Sequence, residues 1–207
     1  MYSKHPTPYG KGLAGFIQSQ RVLRVLEYAE IKPTDRVLEI GCERGALCSA
    51  VPECSRLVGC DIADRALEDA KALFRKRERA AEFILADAVR PLPFSLGEFD
   101  VIICSEMLEH VTDPGAVIAN IANICTVKTR IVLTVPIEAP KVAMKRWLQR
   151  MGVLHFLFPG IEPGQSEWHL HSFSPRLIRH LTKPAFACDR SSTVWGCHFV
   201  GRFHRKG

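Results

Sequence analysis

Five short runs limit what this chain can become: RVLEIG (Arg36 to Gly41), RLVGCDI (Arg56 to Ile62), EFILAD (Glu82 to Asp87), FDVIICS (Phe99 to Ser105) and TRIVLTVP (Thr129 to Pro136). Each is apolar almost throughout, rather than alternating apolar with polar. A strand of that kind is buried on both faces, and such strands belong to parallel sheets whose crossovers are helices. Segments of helical period separate the runs. Phe16, Ile17, Leu23, Leu26 and Tyr28 mark a first helix, which KPTD (Lys32 to Asp35) stops. Helical pattern resumes from Ala46. Asp64 is placed to cap a helix over 66–79, and Asp113 with Pro114 opens another that runs to about Ile124. The expected class is α/β, a mostly parallel sheet with helices on both faces.

After the fifth run the alternation breaks. Lys141 to Trp168 is neither strand-like nor part of the pattern. Ser174 then caps a helix over SPRLIRHL, and FACDR and STVWGCHFVGRF read as two closing strands around a short connection. The 207 residues suit one domain, 1–207, with a helical region over 1–31 and an insertion over 141–168 above the carboxyl ends of the strands. In that insertion Met144, Trp147, Leu148, Met151 and Leu154 form an apolar stripe, and Lys141, Lys145, Arg146 and Arg150 take other faces. A lid over a substrate pocket is the first reading. Contact of 141–158 with an anionic membrane surface is the second, and an RNA-contacting surface is a third.

The net charge of +6 allows an anionic partner without demanding one. RKRERA (Arg75 to Ala80) reads as a solvated helix end. None of the eight cysteines forms a CxxC pair, although Cys42, Cys48, Cys54 and Cys60 recur every six residues. Free thiols in a reducing compartment are expected. MYSKHPTPYG has no apolar signal core, and no apolar run approaches the ~18 residues of a membrane span. The expected location is cytoplasmic, with peripheral membrane contact as the variant.

The loop after the first run, Gly41-Cys42-Glu43-Arg44-Gly45, lets backbone approach a ligand at the end of a strand. The spacing is not that of a dinucleotide site, and no phosphate-binding lysine follows. Asp61, twenty residues after Gly41, can accept both hydroxyls of a ribose. Asp87, at the end of the third run, can meet an adenine amino group.

With VLEIGCERG, VGCDIA, ADAVRPLPF and GEFDVIICSEMLEHV in that order, the chain resembles the class I S-adenosylmethionine-dependent methyltransferases over roughly Lys32 to Pro136. The resemblance implies a Rossmann-like, seven-stranded sheet with an antiparallel last strand, the insertion falling after the fifth. It implies S-adenosylmethionine, whose sulfonium and ammonium groups suit the acids Glu39 and Glu43, where a pyrophosphate would be repelled. It also implies roles: Gly41, Cys42 and Gly45 lend backbone to the methionine part, Asp61 binds the ribose and Ile62 packs on the adenine. Asp87 and Ala88 meet the adenine edge and ring, and Cys104 and Ser105 line the floor. Many relatives have glycine at the position of Glu43. If φ > 0 were needed there, glutamate would cost ~1 kcal/mol or more, so a slightly reshaped loop with Glu43 pointing outward is expected.

SEMLEH sets Glu106, Glu109 and His110 at i, i+3 and i+4, one face of a helix if the segment is helical. Two carboxylates and an imidazole suit a divalent cation such as Mg²⁺ or Mn²⁺. His169 or His171 in EWHLHSF supplies a fourth ligand, with His169 taken as that ligand, or a general base. Ubiquinone-pathway O-methyltransferases and small-RNA 2′-O-methyltransferases carry a similar run. The metal-free alternatives are His110 as acid or base, or a structural helix start. The expected activity is O-methylation of a small apolar or phenolic acceptor. A metal-dependent RNA 2′-O-methyltransferase is the rival enzyme, and a non-catalytic binding protein on the same fold is the rival of another class.

Overall fold

The computed structural model describes residues 12–137, 147–153, 156 and 170–207. The five apolar runs form β1 (Arg36–Ile40), β2 (Arg56–Asp61), β3 (Glu82–Leu85), β4 (Val101–Ser105) and β5 (Arg130–Pro136). With β6 (Phe186–Val194) and β7 (His198–Arg205) they make a seven-stranded sheet in the order β3-β2-β1-β4-β5-β7-β6. β1 to β5 pair in parallel, and β7 runs antiparallel to both its neighbours.

Helices α1 (Gly12–Ala29), α2 (Asp64–Lys76), α3 (Pro114–Ile124) and α4 (Pro175–Thr182) cover both faces. Successive residues of a strand point to opposite faces, so each central strand feeds two apolar layers. On β4, Val101 and Ile103 pack with Val25 of α1 and Leu67 and Phe74 of α2. Ile102 and Cys104 pack in the other layer with Val117 and Ile121 of α3 and Ile178 of α4. All eight cysteines are free thiols. No helix among the described residues is long and apolar enough to cross a membrane.

Two expected caps are present. The Asp113 carboxylate accepts from the Ala116 N–H at 2.9 Å ahead of Pro114, and Ser174 Oγ accepts from the Leu177 N–H at 3.2 Å. Other details differ from the sequence reading. Asp64 does not cap α2; it lies inside the first turn, and Ala63 holds the cap position without a side-chain bond. The Ala63 N–H is already taken at 2.9 Å by Asp61, two residues back, in the short turn aspartate favours. The helix expected from Ala46 is only a 3₁₀ turn over Cys48–Ala50, because Pro52 draws Val51 into extended backbone (φ −58°, ψ 129°). The break between the closing strands falls later than expected: β6 continues to Val194, and the turn is made by Trp195 (φ 51°) and Gly196 (φ 65°). Two left-handed residues match the twist of a tight hairpin.

Most of the insertion over 141–168 lies outside the described residues. Within it, 147–150 form one helical turn that buries Leu148 and leaves Trp147 and Met151 exposed.

Candidate active site

From β1 the chain steps outward through β2 to β3, then crosses back to place β4 on the other side of β1. Such a reversal opens a crevice at the carboxyl ends of the two central strands. A cavity of about 660 Å³ lies there, a volume in the range of small-molecule sites. Its wall includes Glu39, Gly41, Cys42, Asp61, Ile62, Asp87, Ala88, Ser105, Glu106 and His110, and so gathers most of the residues singled out in the sequence. Gly45 supports the loop from behind: a Cβ there would stand 3.1 Å from Ala70 Cβ of α2. Cys104 is not part of the floor. It is fully buried in the layer beneath α3, because the residue before Ser105 points to the opposite face of the strand.

The loop after β1 is held by Asp61. Its Oδ2 accepts from the Glu43 N–H at 2.8 Å and its Oδ1 from the Ala63 N–H at 2.9 Å. Each oxygen keeps a lone pair for a ligand. Glu43 does point outward, with its side chain 77% exposed, but the loop has not been reshaped to relieve it: Glu43 sits at φ 46°. Gly41 also has positive φ (75°), and a Cβ there would stand 2.6 Å from Met107 Cγ, so only glycine lets the turn pass beneath Met107.

Five carboxylates line the cavity among the described residues, Glu39, Glu43, Asp61, Asp87 and Glu106, against the single guanidinium of Arg21. Glu39 is 3% exposed, and its Oε2 has no hydrogen-bond partner among the described residues. Burial pushes its carboxyl up to about 7, against opposing pulls from Cys48 and Arg21. A buried carboxylate oxygen left open beneath a glycine turn fits a cationic group and repels a phosphate. By that test the residues suit S-adenosylmethionine.

The run Glu106, Glu109, His110 does not form a helical face. Residues 106–112 are bends and turns, and Glu106 itself is left-handed at φ 52°. Thr134 Oγ1 donates to Glu106 Oε1 at 2.9 Å, and His198 Nδ1 lies 2.8 Å from Glu106 Oε2. Glu109 is buried at 1% exposure beside His110, whose Nε2 lies 3.8 Å from Glu109 Oε1. His171 directs Nε2 at the Val111 carbonyl, 2.9 Å away, and its ring lies tilted beside that of Phe173, 6.2 Å between centroids. His169 lies outside the described residues. Among those described, no three His, Cys, Asp or Glu side chains gather as a metal-binding group.

Three residues escaped the sequence reading. Arg21, from α1, is 5% exposed and donates to Ser105 Oγ and, at 3.5 Å, to Thr134 Oγ1. Thr134 lies two residues before the end of β5, and His198 opens β7 at 3% exposure. The only local hint was Arg21, a charge on the face that also carries Val25 and Tyr28.

Residues 38–133 match the family model described as "Methyltransferase domain". A ubiquinone biosynthesis O-methyltransferase of Thiobacillus denitrificans is 36% identical over 90 residues, 43% of this chain and 39% of that protein. The matched stretches span between 35% and 56% of the length of curated ubiquinone biosynthesis O-methyltransferases of this kind. Among solved structures, magnesium protoporphyrin IX methyltransferase of Synechocystis with bound S-adenosylhomocysteine superposes with a TM-score of 0.68 at 19% identity, over 96% of this chain and 91% of that one. The [4+2]-cyclase SpnF superposes with a TM-score of 0.74 at 12% identity, over 98% and 88%. The shared architecture is the Rossmann-like fold of class I methyltransferases, and the cyclase illustrates that the fold alone does not set the reaction.

Proposed function

We propose, from the premise that residues 38–133 form a methyltransferase domain, that this chain transfers a methyl group from S-adenosylmethionine to a hydroxyl oxygen of a small apolar or phenolic acceptor. The observation that carries the reading is the acid-lined cavity at the sheet reversal, with Asp61 anchored on the loop and Glu39 open beneath it. Asp61 would hold the ribose, Ile62 and Ala88 the adenine ring, Asp87 its amino group, and Glu39 the charge of the methionine part. When bound, S-adenosylmethionine supplies an electrophilic methyl group on a sulfonium. The chain's own work is to orient the acceptor oxygen toward that carbon and to take its proton. The match to O-methyltransferases supports oxygen as the acceptor atom. The exposed Trp147, Met151 and Phe156 support a cover for an apolar acceptor from 141–168. Deleting 141–154 should then raise the acceptor KM and leave cofactor affinity unchanged.

Calorimetry with S-adenosylhomocysteine tests the first half of this reading. Asp61→Asn should weaken binding by at least about tenfold, since a hydrogen bond to a charged group is worth ~1.5–3 kcal/mol. Unchanged affinity would remove the assignment. Mass spectrometry of phenols incubated with chain and S-adenosylmethionine tests the second half, the expected product being 14 mass units (one CH₂, ~14 by atomic masses) heavier.

A further inference from the structure

We infer that α4 and the end of β7 form a surface that binds nucleic acid through its phosphates, without selecting bases. The positive charge of the chain is not spread evenly. Residues 170–207 hold seven lysines and arginines against one acid, Asp189, and the rest of the chain balances. Two of the seven are neutralised against α1, where Arg190 and Arg202 pair with Glu30 at 2.9 and 2.6 Å. Asp189 belongs to the same group, 3.5 Å from Arg202 Nε and 2.5 Å from His204 Nδ1. The other five, Arg176, Arg179, Lys183, Arg205 and Lys206, enter no ion pair among the described residues.

Three of the five are held in place by neutral groups. Arg179 donates to Ser191 Oγ at 2.8 Å, and its guanidinium lies 5.8 Å over the Phe199 ring. Arg205 donates to the Cys125 carbonyl at 2.8 Å, and Lys206 Nζ to the Lys183 carbonyl. Such contacts fix a cation without cancelling its charge. Arg176 and Lys183 are exposed and share one face of α4 with His180, at i, i+7 and i+4. No acid answers them from the neighbouring helix: α3, PGAVIANIANI, packs on α4 and has no charged residue. Gathered like charges repel, and a polyanion relieves that repulsion. The apolar content of the face selects among polyanions. α4 presents one exposed large apolar side chain, Leu177, whereas a bilayer contact or a protein interface needs an apolar centre. A phosphate backbone needs only cations and donors. α4 also lacks Asn, Gln, Asp and Glu, the side chains that read adenine and cytosine edges. None of the five cations lines the cavity at the sheet reversal.

Fluorescence anisotropy of a labelled oligouridylate of about 20 nucleotides, titrated with the full chain, tests the surface. Binding in the micromolar range should appear at low salt. It should weaken as salt rises, with a log–log slope of roughly −3.5 when all five cations meet phosphates at about −0.7 each. Arg176→Gln, Lys183→Gln and Lys206→Gln combined should weaken binding at least about tenfold and bring the slope to roughly −1.4. Arg75→Gln, Lys76→Gln and Arg77→Gln combined remove the same charge from the end of α2, and should leave the affinity within about twofold. Circular dichroism should find the fold unchanged in both combined variants. Oligoadenylate should compete as well as oligouridylate. No binding of oligouridylate by the unaltered chain at low salt overturns the inference, and so does binding to phosphatidylglycerol vesicles alone. An equal loss in the α2 variant, or an unchanged salt slope in the α4 variant, overturns it as well.

Discussion

Glu43 stands left-handed in the loop, and the Asp61 carboxylate accepts its N–H there. The side chain lies outside in solvent, near Arg44, and contributes little to offset the backbone cost. Glu43→Gly should therefore raise stability by up to about 1 kcal/mol, read as a shift of the urea midpoint at constant slope. A lower midpoint would mean that the side chain has a structural role. Glu39 carries the opposite kind of cost. Its carboxyl ionises near 4.5 in the unfolded chain and at about 7 in the fold. A raised acid means stability that is full below pH 4.5 and is lost as pH rises through 7. Glu39→Gln should then be more stable than the parent at pH 8, by on the order of 3 kcal/mol, with the gap closing toward pH 4.5. S-adenosylmethionine should narrow the gap at pH 8, because its cation favours the ionised carboxylate. A gap independent of pH would refute the burial account.

At the level of elements, local rules hold where the chain needs no distant help. Asp113 caps α3 from three residues away, so Asp113→Ala should cost about 1 kcal/mol in chemical denaturation and leave S-adenosylhomocysteine affinity unaltered. The run from Glu106 to His110 is the counterexample. Spacings of three and four place side chains on one face only if the backbone is helical, and the left-handed turn at Glu106 ends that condition at its first residue. The same argument covers Asp64, a good cap in isolation that was forestalled by Asp61.

For the whole molecule, the decisive arrangement is α1 held against the antiparallel edge of the sheet. Glu30 at its end bonds Arg190 of β6 at 2.9 Å and Arg202 of β7 at 2.6 Å, and Arg190 lies 4.3 Å over the Tyr28 ring. These ties hold α1, which carries Arg21, against β7, which His198 opens. Hydrogen bonding to Arg202 holds the Glu30 carboxyl below its ordinary range. Its stability is thus present above about pH 4.5 and lost as pH falls through the lowered folded value. Glu30→Ala should cost under about 1 kcal/mol at pH 7, as expected for half-exposed ions, and nothing in acid; thermal melts at both pH values check this. The sequence by itself determined the parallel sheet, since runs apolar on both faces have no other stable home. It also determined the position of the loop, its acids and two of the helix caps, because each depends on neighbours within a few residues. Only the tertiary structure decided what Glu106 faces. Its partners Thr134 and His198 lie 28 and 92 residues away, and the pairing of Pro136 with His198 across β5 and β7 brings the histidine to it. Strand register is a property of the packed sheet, and no spacing along the chain encodes it.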